Sequence, residues 1–381
     1  MAPEIAFRAL SSLPEESLVL DPMCGSGTVL RQALHFGHRA VGFDTDPLAV
    51  LMSRVSSQNI DPHKLVRTAN RIADQAESAG EQSFELPWID NDDETRAFIS
   101  FWFGKEQAQV LRVLAYMANH NRDGLRNALR LVISRIIITK EPRASLARDT
   151  SHSRPHRVTM TSDYDVVQGF RRAAAQMARQ IEQEGLRGSA IVRRRDARIL
   201  PGQLNNQVDI VVTSPPYGNA IDYLRGHRLS LVWFGYTIAQ LRTIKNRGIG
   251  KESGLGIKQT PVLEELARQM GPIDTLRPAT RLRLFLFAKD MQKVLRQIQR
   301  VLKPHGKAVL VIGNSTVKGT YLNNARLIEA AAKEVGLKEI SRYKREIPAN
   351  HRYLPPPKPQ GDQKLAKRMR EEVVLTFEKV S

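Results

Sequence analysis

The sequence predicts an α/β chain built on a doubly wound sheet, and three observations support this fold class. The first 44 residues contain a strand–turn–helix–strand unit, which is the opening of such a sheet. Apolar runs with the length of buried strands recur after residue 188. The last two of these apolar runs are each preceded by a segment with helical periodicity. The predicted strands are 18–20, 40–43, 189–192, 208–212, 308–312 and 373–377.

The N-terminal elements follow from local signals. Residues 2–16 predict a short helix that stops near Pro14, because proline cannot continue a helix. A helix over 29–36 follows the turn at 25–28, and Gly37 is its expected left-handed stop.

A long helical region interrupts the sheet after its second strand. Apolar residues recur there at helical spacing in three stretches, and the polar loops 90–94 and 140–163 interrupt them. The predicted helical stretches are 110–118, 125–136 and 166–181. We read the region as an insertion between strands two and three.

These changes of pattern divide the chain. Residues 1–47 form the first part of the sheet domain, 48–188 the helical insertion, and 189–381 the second part. The second part contains helices over 285–302 and 327–335 and a turn at Lys303–Gly306. The stretch 240–280 is rich in Gly, Lys and Arg and predicts a mobile or substrate-facing excursion.

Composition bounds the class of partner and the compartment. The chain has 381 residues, with 58 Lys and Arg against 39 Asp and Glu, and its net charge of +19 favours a polyanionic partner. A single cysteine excludes internal disulfides and Cys-rich zinc sites. We find neither a membrane-length apolar run nor a signal-peptide pattern, and we expect a cytoplasmic protein.

A glycine-containing loop follows the first strand and reads Asp21-Pro22-Met23-Cys24-Gly25-Ser26-Gly27-Thr28. Its glycines let the main chain turn sharply and approach a ligand with no Cβ in the way. Amides at the start of the next helix can face that ligand. No phosphate-binding lysine follows, which argues against a P-loop nucleotide site.

Two acidic residues follow other strands of the predicted sheet. Asp44 ends the second strand, 23 residues after Asp21, where a carboxylate can accept both ribose hydroxyls of a nucleoside. Asp196 follows the third strand. For the nearby Asp46, the alternative to a role in ligand binding is to cap the next helix.

A strand ends abruptly at Thr213-Ser214-Pro215-Pro216-Tyr217-Gly218, because two prolines cannot donate to a sheet ladder. The turn places Ser, Pro and Tyr at the carboxyl edge, where open α/β sheets bind ligands. The alternative is a strand stop followed by a core aromatic residue.

Both stretches resemble a known family. The loop at 21–28 resembles the S-adenosylmethionine loop of bacterial and archaeal DNA amino-methyltransferases and of some RNA guanine methyltransferases. The turn at 213–217 resembles the Ser-Pro-Pro-Tyr motif of methylases that modify cytosine N4 or adenine N6 in DNA. The resemblance implies a Rossmann-like methyltransferase sheet carrying a large helical insertion, with S-adenosyl-L-methionine as cofactor. It assigns cofactor binding to Asp21, Pro22, Cys24, Gly25, Ser26, Gly27, Thr28, Asp44 and Asp196, with Asp44 on the ribose and Asp196 on the adenine amino group.

The catalytic turn is suited to an exocyclic amine, whose nitrogen lone pair is delocalised into the ring. Two acceptors that bind the amino hydrogens make that nitrogen more nucleophilic. The Ser214 oxygen and the Pro215 carbonyl, held by Pro216, are the predicted acceptors. The Tyr217 ring can stack on the target base after base flipping. No covalent nucleophile is needed.

DNA is the implied partner, and the helical insertion is a candidate DNA-recognition region. Arg148, Arg154, His156 and Arg157 crowd one polar loop and are candidate DNA contacts. Asp222, Tyr223 and Arg225 follow the catalytic turn and are also candidates. The alternatives are a solvated basic loop for the first group and loop-anchoring hydrogen bonds for the second. Residues 350–355 are a further basic candidate.

The preferred function is methylation of a DNA exocyclic amine, with cytosine N4 favoured because Ser214 stands where adenine enzymes more often carry Asp or Asn. Adenine N6 stays an alternative. A guanine-N2 RNA methyltransferase and an inactive DNA-binding protein with the same fold are others. A cognate restriction endonuclease is left open as a partner. The histidines do not cluster at metal-ligand spacing, and we predict no metal.

Family members often carry an aromatic residue that closes over the methionine from ahead of the cofactor loop. Phe7 is the single aromatic residue ahead of the loop in this sequence.

Overall fold

The structure is a computed structural model. It describes residues 3–80, 84–152, 154–182, 185–216, 218, 222–251, 260–317, 319–347 and 371–380. The chain divides into two compact units, a sheet unit and a helical unit. The sheet unit comprises residues 1–45, 187–221 and 246–381, and the helical unit comprises 46–186 and 222–245.

The sheet unit contains a seven-stranded sheet. Its strands are β1 (Leu18–Asp21), β2 (Arg39–Asp44), β5 (Ser189–Arg194), β6 (Val208–Thr213), β7 (Leu302–Gly313), β10 (Leu337–Glu346) and β11 (Glu371–Lys379). A separate hairpin pairs β8 (Ser315–Val317) with β9 (Thr320–Leu322). The helices of this unit are α1 (Pro3–Leu10), α2 (Thr28–His35), α12 (Pro261–Arg268), α13 (Pro278–Val301) and α14 (Asn324–Glu334).

The strand order is β10-β11-β7-β6-β1-β2-β5. In the sheet, the neighbouring strands of the series β7-β6-β1-β2-β5 are parallel to each other. Strand β11 is antiparallel to both β7 and β10. The chain order of the strands reverses at β1, which lies between β6 and β2. A ligand crevice is expected outside the carboxyl ends of the strands at such a switch point.

Alternating residues of the strands cover two apolar faces. Leu20, Val211 and Leu310 are fully buried in a cluster that includes residues of α12, α13 and α14. On the other face α2 packs on the sheet. Gly42 is required there, because a Cβ at this position would lie 2.5 Å from Leu30 Cδ1.

The helical unit begins after β2 with a capped helix. Its helices are α3 (Pro47–Ser56), α4 (Pro62–Ser78), α5 (Pro87–Asp90), α6 (Asp93–Trp102), α7 (Lys105–His120), α8 (Arg126–Ile137), α9 (Val166–Glu182), α10 (Leu224–Leu231) and α11 (Ile238–Asn246). Two short strands, β3 (Ala147–Arg148) and β4 (His156–Arg157), pair antiparallel within it.

Residues 222–245 lie in the helical unit, although the sequence placed them in the second part of the sheet domain. The reason is their apolar content. Trp233 is 1% exposed and belongs to the same core as residues of α7 and α8. Its backbone carbonyl also accepts a hydrogen bond from Asn119 Nδ2 at 3.1 Å.

The predicted doubly wound sheet is confirmed, and each predicted strand corresponds to an observed one. Gly37 has φ of 79°, as expected for a left-handed helix stop. The first helix is shorter than predicted and ends at Leu10, well before Pro14.

One predicted turn is wrong. Residues 303–306 lie within β7, where Val208 pairs with Leu302 and Ile210 pairs with Lys307. The extra residues form a bulge, and His305 adopts φ of 60°. Strand β10 was not predicted from the sequence, because it is rich in exposed charged residues and contains few apolar ones.

Within the described residues, no helix has both the length and the apolar character needed to cross a membrane.

Candidate active site at the carboxyl edge of the sheet

The glycine-containing loop leaves β1 and enters α2 through two left-handed residues. Gly25 has φ of 52° and Gly27 has φ of 86°, which are backbone conformations that residues with a Cβ rarely adopt. The amide of Cys24 donates to the Phe43 carbonyl at 2.8 Å, which fastens the loop to β2. A Cβ built on Gly25 would meet no atom within 4 Å. The loop therefore presents backbone toward an open side.

Asp44 ends β2 beside this loop. Its Oδ2 accepts a hydrogen bond from the Gly25 amide at 3.0 Å. The predicted ribose acceptor thus also holds the loop in position. Asp46, two residues further on, accepts from the Leu48 amide at 2.8 Å and caps α3, as its alternative interpretation predicted.

Asp21 ends β1 and is 3% exposed. Thr213 Oγ1 at the end of β6 donates to Asp21 Oδ1 at 2.7 Å, and the Met23 amide donates to the same oxygen at 3.2 Å. Burial raises the pKa of Asp21 to about 7, while these hydrogen bonds act in the opposite direction. Asp21 thereby joins the glycine-containing loop to β6, the strand that precedes the predicted catalytic turn.

Other residues of the loop have distinct environments. Pro22 and Cys24 are buried, Ser26 is exposed, and Thr28 is the first residue of α2. Phe7, ahead of the loop, is 50% exposed and its ring lies 5.1 Å from that of Phe36.

The predicted catalytic turn begins immediately after β6. Ser214 Oγ donates to the Val311 carbonyl of β7 at 3.1 Å. Because the hydroxyl proton is directed to β7, the oxygen can act toward a ligand only as an acceptor. Pro215 is buried and Pro216 is half-buried. Tyr217 lies outside the described residues.

Gly218 closes the described part of the turn, and its glycine identity has a steric reason. A Cβ there would lie 2.9 Å from Asn324 Oδ1 and 3.4 Å from Phe287. Asn324 is fully buried at the start of α14 and donates to the Gly313 carbonyl at 2.8 Å. Close packing of the turn on these two residues fixes its position.

Asp196 follows β5 and is bound by an arginine that the sequence did not single out. Arg198 donates to both carboxylate oxygens of Asp196, at 2.6 Å from Nη2 to Oδ2 and 3.0 Å from Nε to Oδ1. Its Nη1 lies 2.9 Å from Oδ2 of Asp290, a carboxylate that is 1% exposed in α13. The Arg198 side chain is itself 8% exposed.

Further contacts extend this network. Arg198 Nη2 donates to the Arg247 carbonyl at 2.7 Å, and the Gly250 amide donates to Asp290 at 3.0 Å. Sequence reasoning could not find this network, because Asp290 lies far from Asp196 along the chain and matches no motif. The network orients the carboxylate that the sequence assigned to the adenine group.

The basic candidates of the helical unit lie around the β3–β4 pair. Arg148 and His156 are register partners. Arg148 also forms an ion pair with Glu141 at 2.6 Å. The Arg157 guanidinium lies 5.1 Å from the Phe101 ring centroid, and Arg154 is exposed.

The second group of candidate DNA contacts includes an ion-paired carboxylate. Asp222 is 12% exposed and lies 2.8 Å from Lys245 Nζ and 4.0 Å from Arg225 Nε. Tyr223 is 53% exposed. Residues 350–355, the further basic candidate, lie outside the described residues.

In the described ranges, no group of three or more histidine, cysteine or acidic side chains could hold a metal ion.

The strand order, with β11 antiparallel between β7 and β10, and the glycine loop after β1 together define a doubly wound, Rossmann-like α/β fold. This confirms the predicted fold class.

Sequence comparison finds a related methyltransferase. The chain is 26% identical over 365 residues to the Type II methyltransferase M.MvaI of Kocuria varians, covering 88% of this chain and 78% of the relative. No family model matches the chain.

Solved structures with similarity to the chain include two methyltransferases. An S-adenosylmethionine-dependent methyltransferase of Methanosarcina mazei has a TM-score of 0.33 at 9% identity, with 100% of this chain and 98% of that chain covered. A TehB-like enzyme of Corynebacterium glutamicum has a TM-score of 0.32 at 10% identity, with 100% and 88% covered.

Proposed function

We propose that the protein is an S-adenosylmethionine-dependent DNA methyltransferase that acts on an exocyclic base amine, with cytosine N4 as the favoured target. One observation carries the proposal. The Thr213–Asp21 hydrogen bond of 2.7 Å joins two motifs that lie 192 residues apart in the chain. The cofactor loop and the catalytic turn therefore meet at the carboxyl ends of neighbouring strands.

The cofactor loop fits S-adenosylmethionine. Its left-handed glycines expose backbone on a side where a Cβ at Gly25 would meet no protein atom. Asp44 is proposed to accept the ribose hydroxyls, and Asp196 is proposed to accept the adenine amino group. The bound cofactor supplies an electrophilic methyl group on a sulfonium.

Ser214 is proposed to act on the target amine. Its proton is directed to Val311, so the oxygen lone pairs are available for an amino hydrogen. The carbonyl of Pro215 is the second proposed acceptor. Acceptors fixed where positive charge develops on the nitrogen stabilise the transition state relative to the ground state. Tyr217 is proposed to stack on the flipped base.

DNA as the substrate rests on three observations. The relative from Kocuria varians is a Type II methyltransferase and aligns with most of the chain. The catalytic turn resembles that of DNA amino-methyltransferases. The net charge of +19 favours a polyanion. The Type II class of the relative also supports a cognate restriction endonuclease as a partner and a restriction-modification role.

Proposed DNA contacts are assigned to both groups of basic and polar candidates. Arg148, Arg154, His156 and Arg157 would bind phosphates or base edges from the β3–β4 region. Asp222, Tyr223 and Arg225 would lie near the flipped nucleotide. The ion pairs of Asp222 support, for that residue, the alternative role of anchoring its loop.

The decisive experiment is mass spectrometry of nucleosides from duplex DNA and from RNA incubated with the purified protein and S-adenosylmethionine. We expect N4-methylcytosine in DNA and no methylated RNA nucleoside. N6-methyladenine alone would overturn the base assignment but keep the mechanism. Methylated RNA with unmodified DNA would overturn the substrate class.

A further inference from the structure

The helical unit contains a cavity of about 500 Å³, a volume within the range of small-ligand sites. Residues of α6, α10 and α11 line it, together with Lys245 near the end of α11. The lining residues are Glu94, Phe98, Leu224, Arg225, Arg228, Ile238, Leu241, Arg242 and Lys245.

The lining combines two kinds of chemistry. Phe98, Leu224, Ile238 and Leu241 form an apolar wall, and Leu241 is 2% exposed. Four cations share the cavity with one carboxylate, that of Glu94. Such a lining fits a ligand with a compact negative group on a largely apolar body.

Three of the four cations have carboxylate partners. Arg242 is ion-paired with Glu94, and Lys245 and Arg225 lie 2.8 and 4.0 Å from Asp222. These pairs keep the cations at the cavity while leaving an excess of positive charge there.

Arg228 differs from the other three cations. Its guanidinium lies 5.1 Å from the Phe98 ring centroid, and burial lowers its pKa. Its Nε is buried, and among the described residues it has no hydrogen-bond partner. Within the same part of the chain, no carboxylate lies within ion-pair distance of it. The charge of Asp222 acts against burial, in the direction that raises the pKa of Arg228. Arginine stays protonated, and its half-buried guanidinium has a buried Nε donor without a partner, which favours an anionic ligand at the cavity.

We propose that this cavity binds a nucleotide, with the phosphate on Arg228, Arg225 and Lys245 and the sugar and base against the apolar wall. A guanidinium fork matches phosphate oxygens in geometry and charge. The choice of a nucleotide over another phosphate ester rests on the proposed function. The nucleotide could be free or part of a DNA strand, and the experiment below separates these sources.

The test is isothermal titration of the full-length protein with deoxycytidine monophosphate, deoxycytidine and a five-nucleotide single strand. We expect the monophosphate to bind at least tenfold more tightly than the nucleoside. Arg228→Met should weaken phosphate-dependent binding by about tenfold or more, the range for a lost charge-assisted hydrogen bond. Arg179→Met, which changes an exposed arginine of α9, should leave binding unchanged.

The titrations with the monophosphate and with the oligonucleotide identify the source of the nucleotide. Tighter binding of the oligonucleotide than of the monophosphate, lost in Arg228→Met, assigns the cavity to a DNA strand. Binding of the monophosphate alone assigns it to a free nucleotide. Should Arg228→Met fail to fold by circular dichroism, Lys245→Met, whose side chain is 43% exposed, provides the same comparison.

Equal affinity of the nucleoside and its monophosphate would overturn the proposal, as would a monophosphate affinity unchanged in the folded variants. DNA methylation by the same preparation is measured in parallel. Methylation without Arg228-dependent phosphate binding overturns the cavity assignment alone. Arg228-dependent binding of the monophosphate without methylation of any DNA overturns the proposed function alone.

Discussion

Three residues of the candidate site carry roles that single substitutions can separate. Asp44 combines a hydrogen bond to the cofactor loop with its proposed contact to ribose. Ser214 combines a hydrogen bond to β7 with its proposed contact to the target amine. Asp21 holds the two motifs together from a buried position.

Asp44→Ala should weaken S-adenosylmethionine binding by at least tenfold, because it removes the ribose acceptor and the bond to Gly25. Each lost hydrogen bond is worth about 1–3 kcal/mol. Asp44→Asn keeps an acceptor for the Gly25 amide and should fall between the wild type and Asp44→Ala. Calorimetry measures the affinities, and circular dichroism checks folding. Wild-type affinity in a folded Asp44→Ala protein would remove Asp44 from the cofactor site.

Ser214→Ala should reduce turnover by roughly one to three orders of magnitude, the range for losing a transition-state contact. S-adenosylmethionine binding should stay nearly intact. Single-turnover methylation of DNA measures the rate. Ser12→Ala, a change at an exposed serine after α1, is the control. A wild-type rate in Ser214→Ala would exclude the proposed acceptor role.

Asp21 should make stability depend on pH. Its folded pKa of about 7 lies above the unfolded value, so the folded state holds a proton that the unfolded state has lost. Stability from this group therefore falls as pH rises from about 4 to about 7. Asp21→Asn keeps acceptors for Thr213 and Met23 and should gain stability relative to wild type between pH 5 and pH 8. Urea unfolding at both pH values measures this gain, and a constant difference would refute it.

At the scale of elements, the site depends on strand ends supported by neighbouring helices. α13 supplies Asp290, which holds Arg198 against Asp196 after β5. α14 supplies Asn324, which packs against Gly218 of the catalytic turn. Buried polar side chains of α13 and α14 therefore fix the positions of these loops, although neither helix belongs to the sequence motifs.

Arg198 is a proposed positioning residue, and Arg198→Met should raise the KM for S-adenosylmethionine at least tenfold. The kcat at saturating cofactor should change little, because Arg198 acts through Asp196 and not on the target base. Arg198→Lys keeps the charge and should recover part of the affinity. Arg193→Met, at an exposed position of β5, is the matched control. A fall in kcat with unchanged KM would contradict the positioning role.

At the scale of the whole molecule, the two units have separate cores. The net charge of +19 and the basic residues around β3 and β4 predict salt-sensitive binding of duplex DNA. The net charge by itself does not identify which surface binds DNA. The assignment of the DNA-binding surface to residues 143–157 is therefore a hypothesis.

Replacing Arg148, Arg154 and Arg157 together by Gln should flatten the log–log dependence of DNA affinity on salt. If all three neutralise phosphates, the slope should fall by about three, since each contact releases about one counterion. Fluorescence anisotropy with labelled duplex measures the slope. The triple change of the exposed Arg67, Arg172 and Arg179 is the control. An unchanged slope in the first variant would move the DNA surface elsewhere, to 240–258 or 350–358.

The sequence by itself determined the doubly wound sheet, the loop at 21–28 and the turn at 213–218. These features are local, because apolar runs, glycines and prolines act on the backbone of their own segment. The left-handed Gly25 and Gly27 and the strand end at Thr213 follow from such signals.

Only the tertiary structure decided which distant residues meet. The Asp196–Arg198–Asp290 network, the packing of Asn324 on Gly218 and the place of Trp233 in the helical core all join segments far apart in the chain. The same holds for the half-buried Arg228 beside Phe98. Such contacts depend on burial and on the path of the whole chain, and neither is encoded in the spacing of one segment.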